Sequence, residues 1–533
     1  MFAAKPAPSR DRLRGGYYTP DPVARFLAGW AVAAPAAGKV KVLEPSCGDG
    51  AILRHLGGSG LDVTAVEIDP AEAAKARALN VGSVVTADFF DWFDPDTRGL
   101  FDAVAGNPPF IGFGNWSSQA RDRAFDLMRR NKMTPNKLTN AWVPFTVAAV
   151  EAVKRGGRVG LVVPAELLHT SYAAQLRDYL TSRCSHVGLV FFDALIFPGA
   201  SQEVVLLLAE VGDGPAVFRT ARVAGPEHLA CAGLFDDQER PSLPTGRKWS
   251  SHRLDTVSAD VLHHLAGNTA FHPLGGFARV HAGALTGRNS FFCLTDTATD
   301  RLGLRDWTVP LMAAGVQGLR VTAEVLRALG EQGKPVRLLA LPEHADLADP
   351  ALAGYLAAGE AEGVHTGYKT GSRRHWWSVP SVGIPDGFMP AHIHLAPRLY
   401  ANDAAATSTT TVHQIDLTGT VTAEQLAVAA LNSVTFAYTE IHGRVYGGGM
   451  LQLVPSECAS LPVADPRAVT HALAEQVDRL LRQGDDEGAR VLVDRELLAG
   501  RLAIPPADIE QCRRSWVSLR DSRIGRSKRR AGV

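Results

Sequence analysis

The chain has 533 residues, 46% hydrophobic and 21% charged, with 55 Lys and Arg balancing 55 Asp and Glu. At roughly 100–200 residues per domain, that length and composition suit a folded protein of two to four domains. They exclude disorder, collagen-like repeats and coiled coil as the main architecture. A net charge of zero excludes a uniformly basic nucleic-acid coat, though not a local basic cleft.

No apolar run reaches the roughly 18 residues of a membrane helix; Phe26 to Ala37 is short and broken by Pro35. Met1 to Arg14 lacks the apolar core of a signal peptide, so a soluble cytoplasmic protein without membrane contact is expected. The six cysteines form no CxxC pair and no zinc-type cluster with histidine, which predicts free thiols and no metal site.

In chain order, Val40–Leu43 reads as a strand, Ala51–Leu56 as the start of a helix, Val63–Ile68 as a strand and Pro70–Leu79 as a helix. Strands at Val84–Ala87 and Phe101–Ala105 follow, then a helix over Ala141–Lys154 and strands at Arg158–Val163, His186–Phe192 and Glu203–Leu208. Strands separated by helices predict an α/β fold with a mostly parallel, doubly wound sheet. The pattern fades after Ala221, so a first domain is expected over 1–225, a Gly/Pro/Ser-rich linker over 226–250 and a mixed α+β domain over 251–533. Asp465-Pro466 is a helix start, and a helical pattern runs from there to about Leu498. The end is basic: Arg513, Arg514, Arg520, Arg523, Arg526, Lys528, Arg529 and Arg530 accompany Asp521. A solvated tail is the plainer reading and a phosphate-contacting arm the sharper one.

The segment Val42 to Gly50 joins a strand to a helix start, and Ser46, Gly48 and Gly50 let its backbone approach a ligand. Glu67 ends the next strand about 20 residues on, where an acidic residue takes ribose hydroxyls. Leu53 breaks the GxGxxG pattern, and the turn carries Glu44 and Asp49 in place of an anion nest. A cationic ligand with a ribose is favoured over a dinucleotide, and S-adenosylmethionine fits. Asp88, after the third strand, can accept from an adenine amino group while Phe89 covers the ring. Cys47 reads as a small buried residue of the turn.

Gly106-Asn107-Pro108-Pro109-Phe110 follows the fourth strand. Two prolines stiffen the loop and remove two donors. The Asn107 side-chain oxygen and the Pro108 carbonyl are then two acceptors that suit an NH₂ group, with the flat face of Phe110 beside them. Such acceptors turn a conjugated amine's lone pair toward an electrophilic methyl and stabilise the charge that develops on nitrogen. An amino group inside a duplex is out of reach of that pocket, which requires base flipping.

The order Tyr18-Thr19-Pro20, Glu44–Gly50, Glu67-Ile68-Asp69-Pro70, Asp88-Phe89 and Asn107–Phe110 resembles the γ-class amino-methyltransferases of DNA, such as the TaqI adenine methyltransferase. Asn140 to Phe145, Gly156-Gly157, Val162-Val163-Pro164 and Phe197-Pro198 extend the likeness over about 210 residues. The resemblance implies a class I, Rossmann-like methyltransferase domain that uses S-adenosylmethionine. Thr19, Glu44, Glu67, Ile68, Asp88, Phe89 and Phe145 would line the cofactor pocket. Asn107 and Pro108 would hold the target amine, and Phe110 and Phe197 would sandwich the flipped base. In the second half, His281 to Phe292 (with Arg288), Leu431-Asn432-Ser433 and Arg444 to Gly449 resemble this class's target-recognition region less specifically. Lys369 to Trp377, with Arg373, Arg374 and Trp376, is a basic-aromatic stretch suited to phosphate and base-edge contact. Its tryptophans also suit plain core packing.

The expectation is a site-specific DNA adenine methyltransferase of a restriction-modification or defence system, monomeric, with duplex DNA and a separate nuclease or defence proteins as partners. No nuclease motif accompanies the fold, and only about 15 residues precede Tyr17–Pro20, so modification without cleavage is expected. Cytosine, RNA bases and a protein glutamine amide offer similar amines, and a catalytically silent DNA-binding subunit is the non-enzymatic alternative.

Overall fold

The computed structural model describes residues 18–33, 38–194, 196–197, 203–229, 234–235, 239–241, 248–313, 315–342, 345, 347–380, 382–446 and 449–531. Tyr17, Pro198, Cys231 and Gly447-Gly448 lie outside these, as do the side chains of Arg526, Lys528, Arg529 and Arg530. The chain forms two compact units, one running to Arg253 and the other comprising Leu254–Val445 and Gly449–Ile524.

The first unit begins with α1 (Asp21–Val32), which buries Val23, Phe26, Leu27 and Ala31 along one stripe. Then come β1 (Val40–Glu44), β2 (Leu61–Glu67), α2 (Pro70–Ala78), β3 (Ser83–Thr86), the short α3 (Phe89–Trp92) and β4 (Phe101–Gly106). They are followed by α4 (Ser118–Arg130), α5 (Trp142–Ala152), β5 (Val153–Pro164), α6 (Ala174–Arg183), β6 (Cys184–Phe192), β7 (Val204–Val211) and β8 (Val217–Val223). The eight strands lie in the order β3-β2-β1-β4-β5-β7-β6-β8. β7 runs antiparallel to both neighbours, and the other pairs are parallel. This is the expected mostly parallel α/β sheet, with the strand order of a class I methyltransferase fold. Its central strands read as continuous apolar runs because both faces are covered: every residue of β4, and Val159 and Leu161 to Val163 of β5, is buried.

Two expectations need correction. The helix expected over Ala51–Leu56 is a single 3₁₀ turn, Leu53–His55. Gly57, Gly58 and Gly60 follow at once, and Leu61 opens β2, so the chain has no length for a helix. The stretch 226–250, expected as a linker, contains residues that pack on the sheet. Arg240 pairs with Phe218 of β8, Trp249 is buried edge-on to Phe218, and His252 stacks on that ring 4.5 Å away. The change of unit therefore falls at Arg253/Leu254.

In the second unit, one sheet holds five strands in the order Ala278–Ala282, Val412–Leu417, Gly387–Pro390, Tyr400–Asn402 and Arg320–Val321. The expected helical region is present as His471–Arg482, Asp486–Val493 and a π-helical segment, Asp494–Arg501. The basic end is a helix, Pro506–Ala531. Its described cations have structural jobs: Arg513 and Arg514 pair with Glu510, Arg520 lies over Trp516, and Arg523 is buried against Glu440. A solvated tail still describes the exposed Arg514, but not the buried Arg523. No described helix is long and apolar enough to cross a membrane.

Candidate functional site

The order of the sheet reverses between β1 and β4, and in open α/β sheets ligands bind outside the carboxyl ends of the strands at such a point. A cavity of about 520 Å³ lies there. All ten residues expected at the cofactor line it: Thr19, Glu44, Ser46, Gly48, Glu67, Ile68, Asp88, Phe89, Asn107 and Phe145.

The turn after β1 is held to its neighbours by backbone bonds. Cys47 N donates to Val66 O (3.0 Å) and Gly50 N to Cys47 O (2.9 Å). Gly48 and Gly50 take φ of +54° and +85°, a region that L side chains rarely enter. Glu67 closes the turn from the β2 side, accepting from Gly48 N (2.9 Å) and Asp69 N (2.8 Å). A carboxylate has about four acceptor positions, so two backbone donors orient Glu67 without exhausting it. Asp88 caps α3 by accepting from Phe90 N at 2.9 Å.

Six carboxyl groups line the cavity (Glu44, Asp49, Glu67, Asp69, Glu72 and Asp88), and no Lys, Arg or His is among its described lining. Glu44 is buried, and burial together with the charges of Asp49 and Glu67 holds its carboxyl well above the ordinary range. Glu44 Oε2 and Asp49 Oδ1 are buried and find no hydrogen-bond partner among the described residues. Orphaned buried acceptors are costly, and a ligand that brings cationic donors removes that cost. S-adenosylmethionine, with its ammonium and sulfonium, fits this lining; an anionic dinucleotide does not. Cys47, in the same turn, is buried, and burial with the charges of Glu44 and Glu67 pushes its thiol up, away from nucleophile chemistry.

The apolar wall is aromatic. Phe89 and Phe145 stack with centroids 5.0 Å apart, Phe90 meets Phe145 edge-on at 4.8 Å, and Trp116 lies 5.8 Å from Phe90. Trp116 and Asn115 line the cavity and were not read from the sequence, nor were Tyr18 and Glu72 as lining groups. The only signal for Asn115 and Trp116 was a Gly-interrupted aromatic stretch, Ile111 to Trp116, just after the Asn-Pro-Pro-Phe loop.

Asn107 directly follows β4 and lines that cavity. Its Nδ2 donates to Thr19 Oγ1 (3.2 Å), and its backbone O accepts from Ser46 Oγ (3.2 Å). Thr19 thus holds one corner of the amide, and Ser46 ties the loop to the Gly-rich turn. Pro108 is buried and does not line the cavity. Phe110 is half-buried beside an apolar cluster that also contains Phe197. Phe197 is only 4% exposed, so in this conformation it is packed and presents no open face.

In the second unit, Arg373 donates to Leu285 O (2.5 Å), Thr286 O (2.8 Å) and Trp376 O (3.2 Å). Trp376 lies among Phe291, Phe292 and His365 and donates to Glu360. Arg444 pairs with Glu457. These three of the residues expected to contact DNA are engaged within the fold; Arg288 is exposed but donates to Glu362 O (3.1 Å), and Lys369 and Arg374 are exposed. Among the described residues no cluster of His, Cys, Asp or Glu could hold a metal.

Comparison with known proteins follows this division. Residues 71–197 match the family model of the Eco57I restriction-modification methylase. Residues 246–498 match that of the type II methyltransferase M.Eco57I, C-terminal domain. The type II methyltransferase M.XamI of Xanthomonas campestris pv. amaranthicola is 24% identical over 478 residues, covering 84% of this chain and 85% of that protein. M.AccI of Acinetobacter calcoaceticus is 18% identical over 459 residues, 83% of each chain. M.TthHB8I of Thermus thermophilus is 31% identical over 231 residues, 41% of this chain and 50% of that one. Among solved structures, the type IIL restriction-modification enzyme MmeI in complex with DNA superposes with a TM-score of 0.54 at 11% identity, covering 92% of this chain and 72% of that one. The chain therefore has the fold of class I methyltransferases and is similar to type II restriction-modification methyltransferases in both units.

Proposed function

We propose that the protein is an S-adenosylmethionine-dependent DNA methyltransferase that acts on the exocyclic amino group of adenine at a defined site in duplex DNA, as the modification partner of a restriction or defence system. One observation carries the reading: Glu67, Asp88 and Asn107, at the ends of three strands of one sheet, face one acid-lined cavity. The names of the similar proteins support the DNA substrate.

Glu67 and Asp88 would hold the ribose and adenine of the cofactor, and the acids around Glu44 its cationic end. When bound, S-adenosylmethionine supplies an electrophilic methyl carbon on a sulfonium. Asn107, held through Thr19, and the Pro108 carbonyl would accept from the target amine and stabilise the charge that grows on its nitrogen. Phe110 and Phe197 would sandwich the flipped base, which requires Phe197 to leave its packed position. The acceptors position and polarise the amine, and no strong general base is needed. The second unit would carry target recognition. Cytosine is the second reading, since its amine needs the same contacts.

Long-read modification mapping of DNA from cells that express the chain tests this and returns base type and motif together. Methyladenine at one motif is expected. Methylcytosine would replace the base assignment. Duplex binding without any methyl transfer would mean a silent subunit. Transfer to RNA or to a glutamine amide alone would overturn the DNA reading.

A further inference from the structure

The proposed function leaves open which part of the second unit meets DNA. Two loops there, residues 284–290 and 365–377, are tied into one surface. Arg373, on the second loop, donates to the carbonyls of Leu285 and Thr286 on the first. Thr370 Oγ1 donates to Val364 O (2.5 Å), Ser372 Oγ to Lys369 O (2.9 Å) and Gly371 N to Gly367 O (2.7 Å), so the second loop is also braced internally. The loops approach so closely at Gly287 that a Cβ there would lie 3.1 Å from Lys369 Cβ, and Gly287 has φ of +79°. Loop tips exposed on soluble proteins are commonly mobile; this pair is built to hold its shape.

What the surface presents is specific in kind. Tyr368 is 89% exposed, the most exposed large apolar side chain among the described residues. Lys369 Nζ lies 5.3 Å from its ring centroid. Arg374 is exposed on the same loop, and Arg288 on the first loop is exposed but bonded to Glu362 O at 3.1 Å. Neither loop contains an Asp or Glu. The two carboxylates that precede the second loop are engaged: Glu360 accepts from Trp376 Nε1 (3.1 Å), and Glu362 lies 3.6 Å from Arg288. In a chain whose net charge is zero, the two loops carry cations around a bare aromatic ring and no acid of their own, with Glu360 and Glu362 bordering them. An exposed ring is poorly placed in water but well placed against a nucleobase, and cations on a fixed frame suit the phosphates that flank it.

We propose that this paired-loop surface is where the second unit contacts duplex DNA, with Tyr368 on a base and Lys369 and Arg374 on phosphates. The proposal rests on the DNA reading above and adds residues to it. Arg373 holds the surface together and does not itself contact DNA.

The test uses the full chain with Tyr368→Ala, Lys369→Ala and Arg374→Ala, singly and combined. All three side chains are exposed, so melting temperatures should match the wild type. Binding is measured on a short duplex carrying the mapped motif and on a scrambled duplex, across a salt series. Lys369→Ala and Arg374→Ala should weaken both duplexes alike and lower the salt dependence by about one counterion each. Tyr368→Ala should weaken binding to both duplexes about tenfold, since a ring stacks on any base, while cofactor affinity is unchanged. If affinity, preference and salt slope of the triple variant equal the wild type while the motif is still methylated, the surface lies elsewhere and the proposed function stands. If the wild type transfers no methyl group yet loses duplex binding with these changes, the surface stands and the proposed function falls. If the wild type does not bind duplex at all, both fall.

Discussion

Thr19→Val separates holding the catalytic amide from being it. Thr19 is 8% exposed, and its hydroxyl accepts from Asn107 Nδ2 at 3.2 Å. Valine keeps the shape and removes the acceptor. A neutral hydrogen bond contributes about 0.5–1.5 kcal/mol net. A length of 3.2 Å is at the long end for N–H···O, which places this one near the lower half, about 0.5–1 kcal/mol. The expected loss is therefore roughly two- to fivefold in the methyl-transfer step. Removing the amide itself, Asn107→Ala, should cost about 100–1,000-fold, the usual loss for one preorganised polar group. Because Thr19 acts here through Asn107, adding Thr19→Val to Asn107→Ala should cost nothing further, so the coupling energy should equal the whole single-variant effect. Single-turnover methyl transfer at saturating cofactor and duplex reads the step directly, and calorimetry with the demethylated cofactor product checks that the pocket is intact. If Thr19→Val slows the Asn107→Ala enzyme by the same factor as it slows the wild type, the hydroxyl works independently of the amide and the argument fails.

Three further outcomes are expected. Glu44 is held well above the ordinary carboxyl value near 4.5 by burial and by Asp49 and Glu67. The folded protein keeps a proton that the unfolded chain releases, so ligand-free stability falls as pH rises from that value through the folded one. Glu44→Gln should flatten this fall as pH rises above the ordinary carboxyl value, and urea midpoints that keep the wild-type pH dependence would refute it. Arg523 and Glu440 are 1% and 4% exposed and joined at 2.6 and 2.9 Å. Arg523→Met leaves the carboxylate buried and alone, costing about 3–5 kcal/mol, a fall of roughly 6–10 °C in calorimetric melting for a unit of this size. Adding Glu440→Leu should recover most of it, and a lone Arg523→Met that melts like the wild type would contradict the geometry. Phe145→Leu removes the 5.0 Å stack on Phe89. It should weaken binding of the demethylated cofactor by about 2–12-fold, the usual worth of such a pair, and unchanged calorimetric affinity would mean that this wall does not meet the adenine.

The first unit was legible because its chemistry lies at strand ends. Glu44, Glu67 and Asn107 end or follow strands that the sequence marks, and the parallel sheet brings those ends to one cavity. Elements that depend on contacts between distant segments were not legible. The run Ala51–Leu56 has helical composition, but the glycines behind it and the start of β2 leave room for one turn. The Gly/Pro/Ser-rich stretch before Trp249 has linker composition, yet Phe218 is waiting for Trp249 and His252 in the folded chain. Trp116 carries no pattern that marks a pocket wall; it reaches one because the loop after Asn107 returns past Phe90. Arg373 and Arg444 read as contacts for an external anion, but a guanidinium satisfies carbonyls and carboxylates of its own fold equally well, and composition does not say which it will meet.

Within a zero net charge, 55 cations against 55 acids over the whole chain, two local arrangements are opposed in sign. The cavity of the first unit collects six carboxyl groups with no cation in its described lining. Mutual repulsion and burial make such a cluster unfavourable by itself, as the raised carboxyl of Glu44 shows, so it persists where a cationic ligand is to be drawn in and a polyanion kept out. A nucleic acid would be repelled by that cavity and admitted only where one base leaves its backbone outside. The paired loops of the second unit show the reverse, with cations, an exposed ring and no acid. Under the proposed function, the acidic cavity would take the sulfonium cofactor and the basic loops the polyanion, each through a field that salt screens within a Debye length of about 8–10 Å. A uniformly basic surface would attract DNA more strongly but would leave no comparably acidic place for that cofactor.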